Sequence, residues 1–120
     1  MRNIFVAAAL GEAAFGIFVL LMPGLVIGLL FGNEPVASAV IMARVAGIAL
    51  VGLGVACYPG TQQGFYGMLS YSVLVMVYLI IVGIGGAAGV LLWPAVGVHA
   101  LLSVALIVAA RARAATTQRN

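Results

Sequence analysis

Apolar residues run almost unbroken through four stretches of this chain, and each stretch is closed by a short cluster of Pro, Gly or polar residues. A bilayer core about 30 Å thick needs about 20 helical residues to cross it. Four segments meet that length: 3–22, 36–57, 64–84 and 90–110. The breaks read "MPG" (22–24), "GNEP" (32–35), "YPGTQQG" (58–64) and "GGAAG" (85–89), combinations that end helices and start turns. The stretch "GLVIGLLF" (24–31) is apolar but too short to span alone. It predicts a short interfacial helix, the other reading being a Pro-kinked extension of the first span. The expected architecture is all-α: a polytopic membrane protein with four transmembrane helices in an up-down bundle. One domain covers residues 1–112, and a frayed polar tail covers 113–120.

Composition agrees. Of 120 residues, 66% are hydrophobic and only 6% charged, with a mean hydropathy of +1.32. Soluble domains are about a quarter charged, so these residues cannot clothe a water-facing surface but do suit a lipid-facing one. The chain has no Asp and no Lys; its five cations are all Arg. Arg2, Arg111, Arg113 and Arg119 lie at the ends, whereas the loops expected on the opposite side carry only Glu34. The positive-inside rule then places both termini in the cytoplasm of a multi-pass protein of the inner (plasma) membrane. A net charge of +3 without a basic face gives nucleic acid nothing to bind. The opening "MRNIFVAAAL" has the basic and apolar regions of a signal peptide and is read here as the first span.

Small residues recur at packing spacings: Ala43 and Gly47, Gly52 and Gly54, Gly85 and Gly89. They predict faces where helix backbones approach closely. Cys57, the single cysteine, reads as a small packing residue. Tyr58, Tyr66 and Trp93 fall near span ends, where aromatic belts occur.

Against this apolar background, four polar side chains stand out, one per span. At 1.5 Å per residue, Glu12 lies about 12 Å from the cytoplasmic face, Arg44 about 20 Å, His99 about 16 Å and Tyr78 about 20 Å. Tyr71, Ser70 and Ser72 fall nearer that face. A lone Glu or Arg at a helix centre costs on the order of 2.5–3.5 kcal/mol, so Glu12 and Arg44 are expected to pair inside the bundle. His99 and Tyr78 would complete a polar cluster, which serves either as a structural clasp or as a site for a proton, ion or polar headgroup. His99 has no metal-binding spacing around it, and no motif marks it as a haem or chlorophyll ligand, so no cofactor is assigned. "GIGGAAG" (83–89) has glycine spacing like that of a dinucleotide loop but lies between two spans, without the strand such a fold requires.

The Pro23–Gly24 break and "ARVAGIALVGLG" (43–54) resemble the small four-helix DoxX-like membrane proteins. That resemblance implies a four-helix bundle, association of some members with membrane redox enzymes, and a place for Arg44 in the family's core pattern. The chain's length, span number and lone Glu12 in the first span are also similar to the small multidrug resistance transporters. There the matching Glu binds protons and cationic drugs in turn. Arg44 would neutralise such a carboxylate, and the central Trp of that family is missing. No catalytic constellation is visible. The expected role is therefore a non-enzymatic accessory or scaffolding subunit, packed in the bilayer against other membrane subunits or copies of itself. The alternatives are a small proton-coupled transporter using Glu12 and a lipid- or quinone-binding protein.

Overall fold

The computed structural model describes residues 2–58 and 61–117. Its described residues form five helices and no strand: α1 (Arg2–Leu21), α2 (Pro23–Phe31), α3 (Ala37–Cys57), α4 (Gln62–Ile84) and α5 (Leu92–Thr117). Four of them are long and apolar enough to cross a membrane: Asn3–Leu21, Ala37–Cys57, Gln62–Ile84 and Leu92–Ala112. The large apolar side chains left on their outer faces, such as Ile48, Val55, Leu74 and Leu101, suit contact with lipid.

Pro23 decides the first break. Proline disfavours helical backbone in the residue before it, and Met22 has φ −128° and ψ 55°, so α1 stops at Leu21. Pro23 then serves as the opening residue of α2, where its missing N–H is harmless. The 24–31 stretch is thus a separate short helix rather than an extension of the first span. At the next junction, the Thr61 hydroxyl accepts a hydrogen bond from the Gly64 amide at 3.1 Å, capping α4.

α1 and α3 are packed almost backbone to backbone. A Cβ at Gly16 would lie 2.7 Å from the Gly47 carbonyl, and one at Gly54 would lie 2.6 Å from the Ala9 carbonyl. Rising numbers in α1 meet falling numbers in α3, so the two run antiparallel. Of the predicted small-residue pairs, Gly47 and Gly54 do serve close approach, whereas Gly52 faces open space. α4 and α5 form a second antiparallel pair, with Gly83 against Leu92 and Trp93. The two pairs meet in a core of Phe5, Ala9, Cys57, Phe65, Met68 and Leu106. There the Phe5 and Phe65 rings lie 5.9 Å apart, and the Cys57 thiol donates to the Gly64 carbonyl at 3.3 Å.

The "GGAAG" loop has a different role from the one its spacing predicts. Gly85 ends α4 rather than packing against a helix face. Gly89 instead abuts α2: its amide donates to the Leu30 carbonyl at 2.8 Å, and the Leu91 amide donates to the Leu29 carbonyl at 2.8 Å. These bonds satisfy carbonyls that the end of α2 would otherwise leave open.

Nor does the helical part stop at 112. α5 continues to Thr117, because Ala and Arg favour helix and no Gly or Pro intervenes; the last three tail residues lie outside the described ones.

Candidate functional site

Glu12 lies past the middle of α1 on the side turned toward α4 and α5, and it is only 9% exposed. Tyr71 of α4 stands beside it, its phenol turned toward the carboxyl group as a potential donor. The Tyr71 ring in turn meets the His99 ring of α5 edge to face, with centroids 5.7 Å apart and planes at 75°. The result is a chain of three polar groups from three helices, Glu12–Tyr71–His99, set in an apolar wall.

Beside this chain α1 and α5 stand apart and leave a cleft of about 410 Å³. α1 lines it from Ala7 to Phe15 and α5 from Ala95 to Leu102, with Glu12 and His99 as its ionisable side chains. The small side chains of Ala7, Ala8 and Gly11 keep it open. Gly11, Phe15 and Val98 are exposed as well as lining it, so the cleft communicates with the surrounding lipid. A second hollow of about 180 Å³ adjoins it beneath α2, and the two share Phe15, Ala95 and Val98.

Of the four residues expected to cluster, the structure joins two: Glu12 and His99 line the same cleft. Arg44 does not pair with Glu12. It is exposed on the outer side of α3, while Glu12 is buried. Packing register explains the separation. With Gly16 opposite Gly47 and Ala9 opposite Gly54, Arg44 lies at least seven residues along the axis from the level of Glu12, about 10 Å at 1.5 Å per residue. Depth counted from helix starts already puts the two about 8 Å apart; what it does not give is the helical phase of α3, which turns Arg44 outward.

Tyr78 is also displaced, being 64% exposed on α4. It stands one heptad beyond Tyr71, on nearly the same helical face but about 10 Å further along. Tyr71 is the phenol level with Glu12 and His99, in keeping with its depth of about 10 Å from the start of the third span at 1.5 Å per residue.

Two further groups belong near this chain. Ser72 and Ser103 are buried, and neither hydroxyl has a hydrogen-bond partner, nor does His99 Nδ1. Among the described residues no group of His, Cys, Asp and Glu could hold a metal ion.

No protein-family model, curated protein or solved structure matches the chain. Chemically, the cleft offers a carboxyl group as acceptor or counter-ion and an imidazole, in walls otherwise apolar and open to lipid. That combination fits a molecule which itself dissolves in membranes and carries one polar or cationic end. Its volume falls in the range of small-molecule sites, about 300–1,000 Å³.

Proposed function

We propose that the protein binds a membrane-dissolved amphiphile in the α1–α5 cleft, with Glu12 receiving a cationic or hydrogen-bond-donating head. The observation that carries this reading is a buried carboxyl group facing a cleft of about 410 Å³ with Arg44 turned away from it. Ionisable residues inside a membrane mark ligand or proton pathways by default, and the internal partner that would have made Glu12 purely structural is absent from its side. The same observation removes one objection to the similarity with small multidrug resistance transporters, in which Arg44 would have neutralised the carboxylate. Exchange of the bound cation for a proton at Glu12 would make the protein a small proton-coupled carrier, with no enzymatic step.

The test is binding of a lipophilic cation, tetraphenylphosphonium, to the protein in nanodiscs. Glu12→Gln keeps the shape and removes the charge, and it should weaken binding at least tenfold while leaving thermal stability within about 1 kcal/mol. Equal binding by the variant would defeat the proposal.

The working topology is an up-down bundle with both termini cytoplasmic in the plasma membrane, supported by the distribution of Arg. Reporter fusions at both ends and at Glu34 test it.

A second reading rests on Arg44. A guanidinium exposed on a spanning helix needs a counter-group from outside the chain. This supports the accessory-subunit role, in which a carboxylate on a neighbouring membrane subunit, or on a second copy, meets α3. The DoxX-like resemblance includes this same residue. Co-purification in mild detergent with and without Arg44→Leu distinguishes that role from snorkelling of Arg44 to the bilayer interface.

A further inference from the structure

The two hollows between α1 and α5 differ in chemistry and adjoin one another. The larger holds Glu12 and His99; the smaller, walled by Phe18, Val26, Leu29, Leu30, Leu91 and Pro94, has no polar side chain. They meet at Phe15, Ala95 and Val98. On α5 the lining runs from Pro94 to Leu102, eight residues further along, or about 12 Å at 1.5 Å per residue. The smaller hollow is also firmly built at its far end. The Gly89 and Leu91 amides bind the Leu30 and Leu29 carbonyls there, fixing the start of α5 against the end of α2.

We propose that this groove fixes the orientation of the bound amphiphile: its head lies at Glu12 and His99, and its single apolar tail lies beneath α2, against Val26, Leu29 and Leu30. This rests on the ligand-binding reading above and adds to it a direction and a tail site. Lipid chains are as apolar as the groove wall, so the tail gains little from leaving the bilayer. The gain is one of fit, since a tail in this hollow keeps the head against the carboxyl group. The side of the cleft toward Phe15 adjoins this second hollow, which gives the tail its direction. Ala95 lines both compartments and carries the smallest side chain of the three that do.

The probe is an alkyl-trimethylammonium with a diazirine at the tail end, photolysed with the protein in nanodiscs and mapped by mass spectrometry. Labelling is expected on Val26, Leu29, Leu30 or Leu91, reduced at least tenfold by excess tetraphenylphosphonium. Pro94→Trp, at a residue that lines only the smaller hollow, should reduce that labelling at least tenfold while leaving tetraphenylphosphonium binding within about twofold. Leu29→Trp blocks the hollow from the other helix and should do the same, guarding against misfolding of one variant. Competable labelling at Ala7, Ala8 or Leu102 instead would overturn the orientation, as would labelling of the α2 hollow unchanged in both variants. Loss of all competition, together with tetraphenylphosphonium binding insensitive to Glu12→Gln, would condemn the ligand-binding reading itself rather than the tail site.

Discussion

Gly47 and Gly52 stand five residues apart on the same helix, and the structure assigns opposite consequences to giving each a methyl group. At Gly47 a Cβ would fall 2.7 Å from the Gly16 carbonyl oxygen, 2.8 Å from the Leu20 amide nitrogen and 3.2 Å from the Leu20 Cα. All three are backbone atoms, so no rotamer change relieves the contact. Ordinary van der Waals contact begins near 3.4 Å, which requires α1 and α3 to part by about 0.7 Å. A gap of 0.5–1 Å forfeits about a quarter to a half of the dispersion energy at each contact it opens, and overpacking of this kind costs about 1–3 kcal/mol. Against that, replacing Gly by Ala within a helix gains about 1 kcal/mol. Gly47→Ala should therefore be destabilising by up to about 2 kcal/mol. At Gly52 nothing lies within 4 Å, so Gly52→Ala keeps the helix gain and should stabilise by up to about 1 kcal/mol. Thermal unfolding in one detergent, followed by circular dichroism, measures the difference. If the two variants unfold together, or Gly47→Ala proves the more stable, the backbone-to-backbone packing of α1 on α3 is wrong.

Three other changes probe separate parts of the molecule. Gly89→Ala places a methyl group against the Leu29 carbonyl and should break the two amide bonds that close α2, costing about 1–3 kcal/mol; faster hydrogen exchange at the Gly89 and Leu91 amides would report it. Ser103→Ala removes a buried hydroxyl that has no partner, so stability should hold or rise by up to about 1–3 kcal/mol; a marked loss would mean that the hydroxyl is bonded. Tyr71→Phe deletes the hydroxyl beside Glu12 while sparing its packing, and should change binding of tetraphenylphosphonium without lowering stability by more than about 1–2 kcal/mol. Unchanged binding would show that the phenol does not position the carboxyl group.

The spans were legible because lipid imposes one simple demand, about 20 apolar residues per crossing, and four stretches satisfy it with Pro and Gly between them. Pro23 gave away the end of α1 for an equally local reason. The use of Gly89 was not legible. Its spacing from Gly85 is that of a helix-packing motif, yet it works in a loop that closes a helix fifty-nine residues earlier in the chain. Nothing local distinguishes the two uses of glycine, since both reduce to letting backbone come close.

Glu12 and Arg44 show where an energetic argument gains force and where it stops. The cost of an unpaired charge in hydrocarbon says that each must find a partner; it says nothing of which partner, or whether that partner belongs to the same chain. The α1–α3 register separates the two by about 10 Å along the axis, and the helical phase of α3 turns Arg44 outward. Each charge is thus left to be answered separately, Glu12 by Tyr71 and whatever enters the cleft, Arg44 by something beyond the bundle's outer face. A chain with two acidic residues in 120 that neutralised neither charge internally would be poorly made as a free-standing bundle. It makes sense as a protein whose membrane-embedded charges are completed by other molecules. Substituting both should therefore be additive in stability, as for separate sites. Glu12→Gln with Arg44→Gln should equal the sum of the single effects within about 0.5 kcal/mol, measured by thermal unfolding in detergent. A coupling well above that would put the two side chains back in contact and return Glu12 to a structural role.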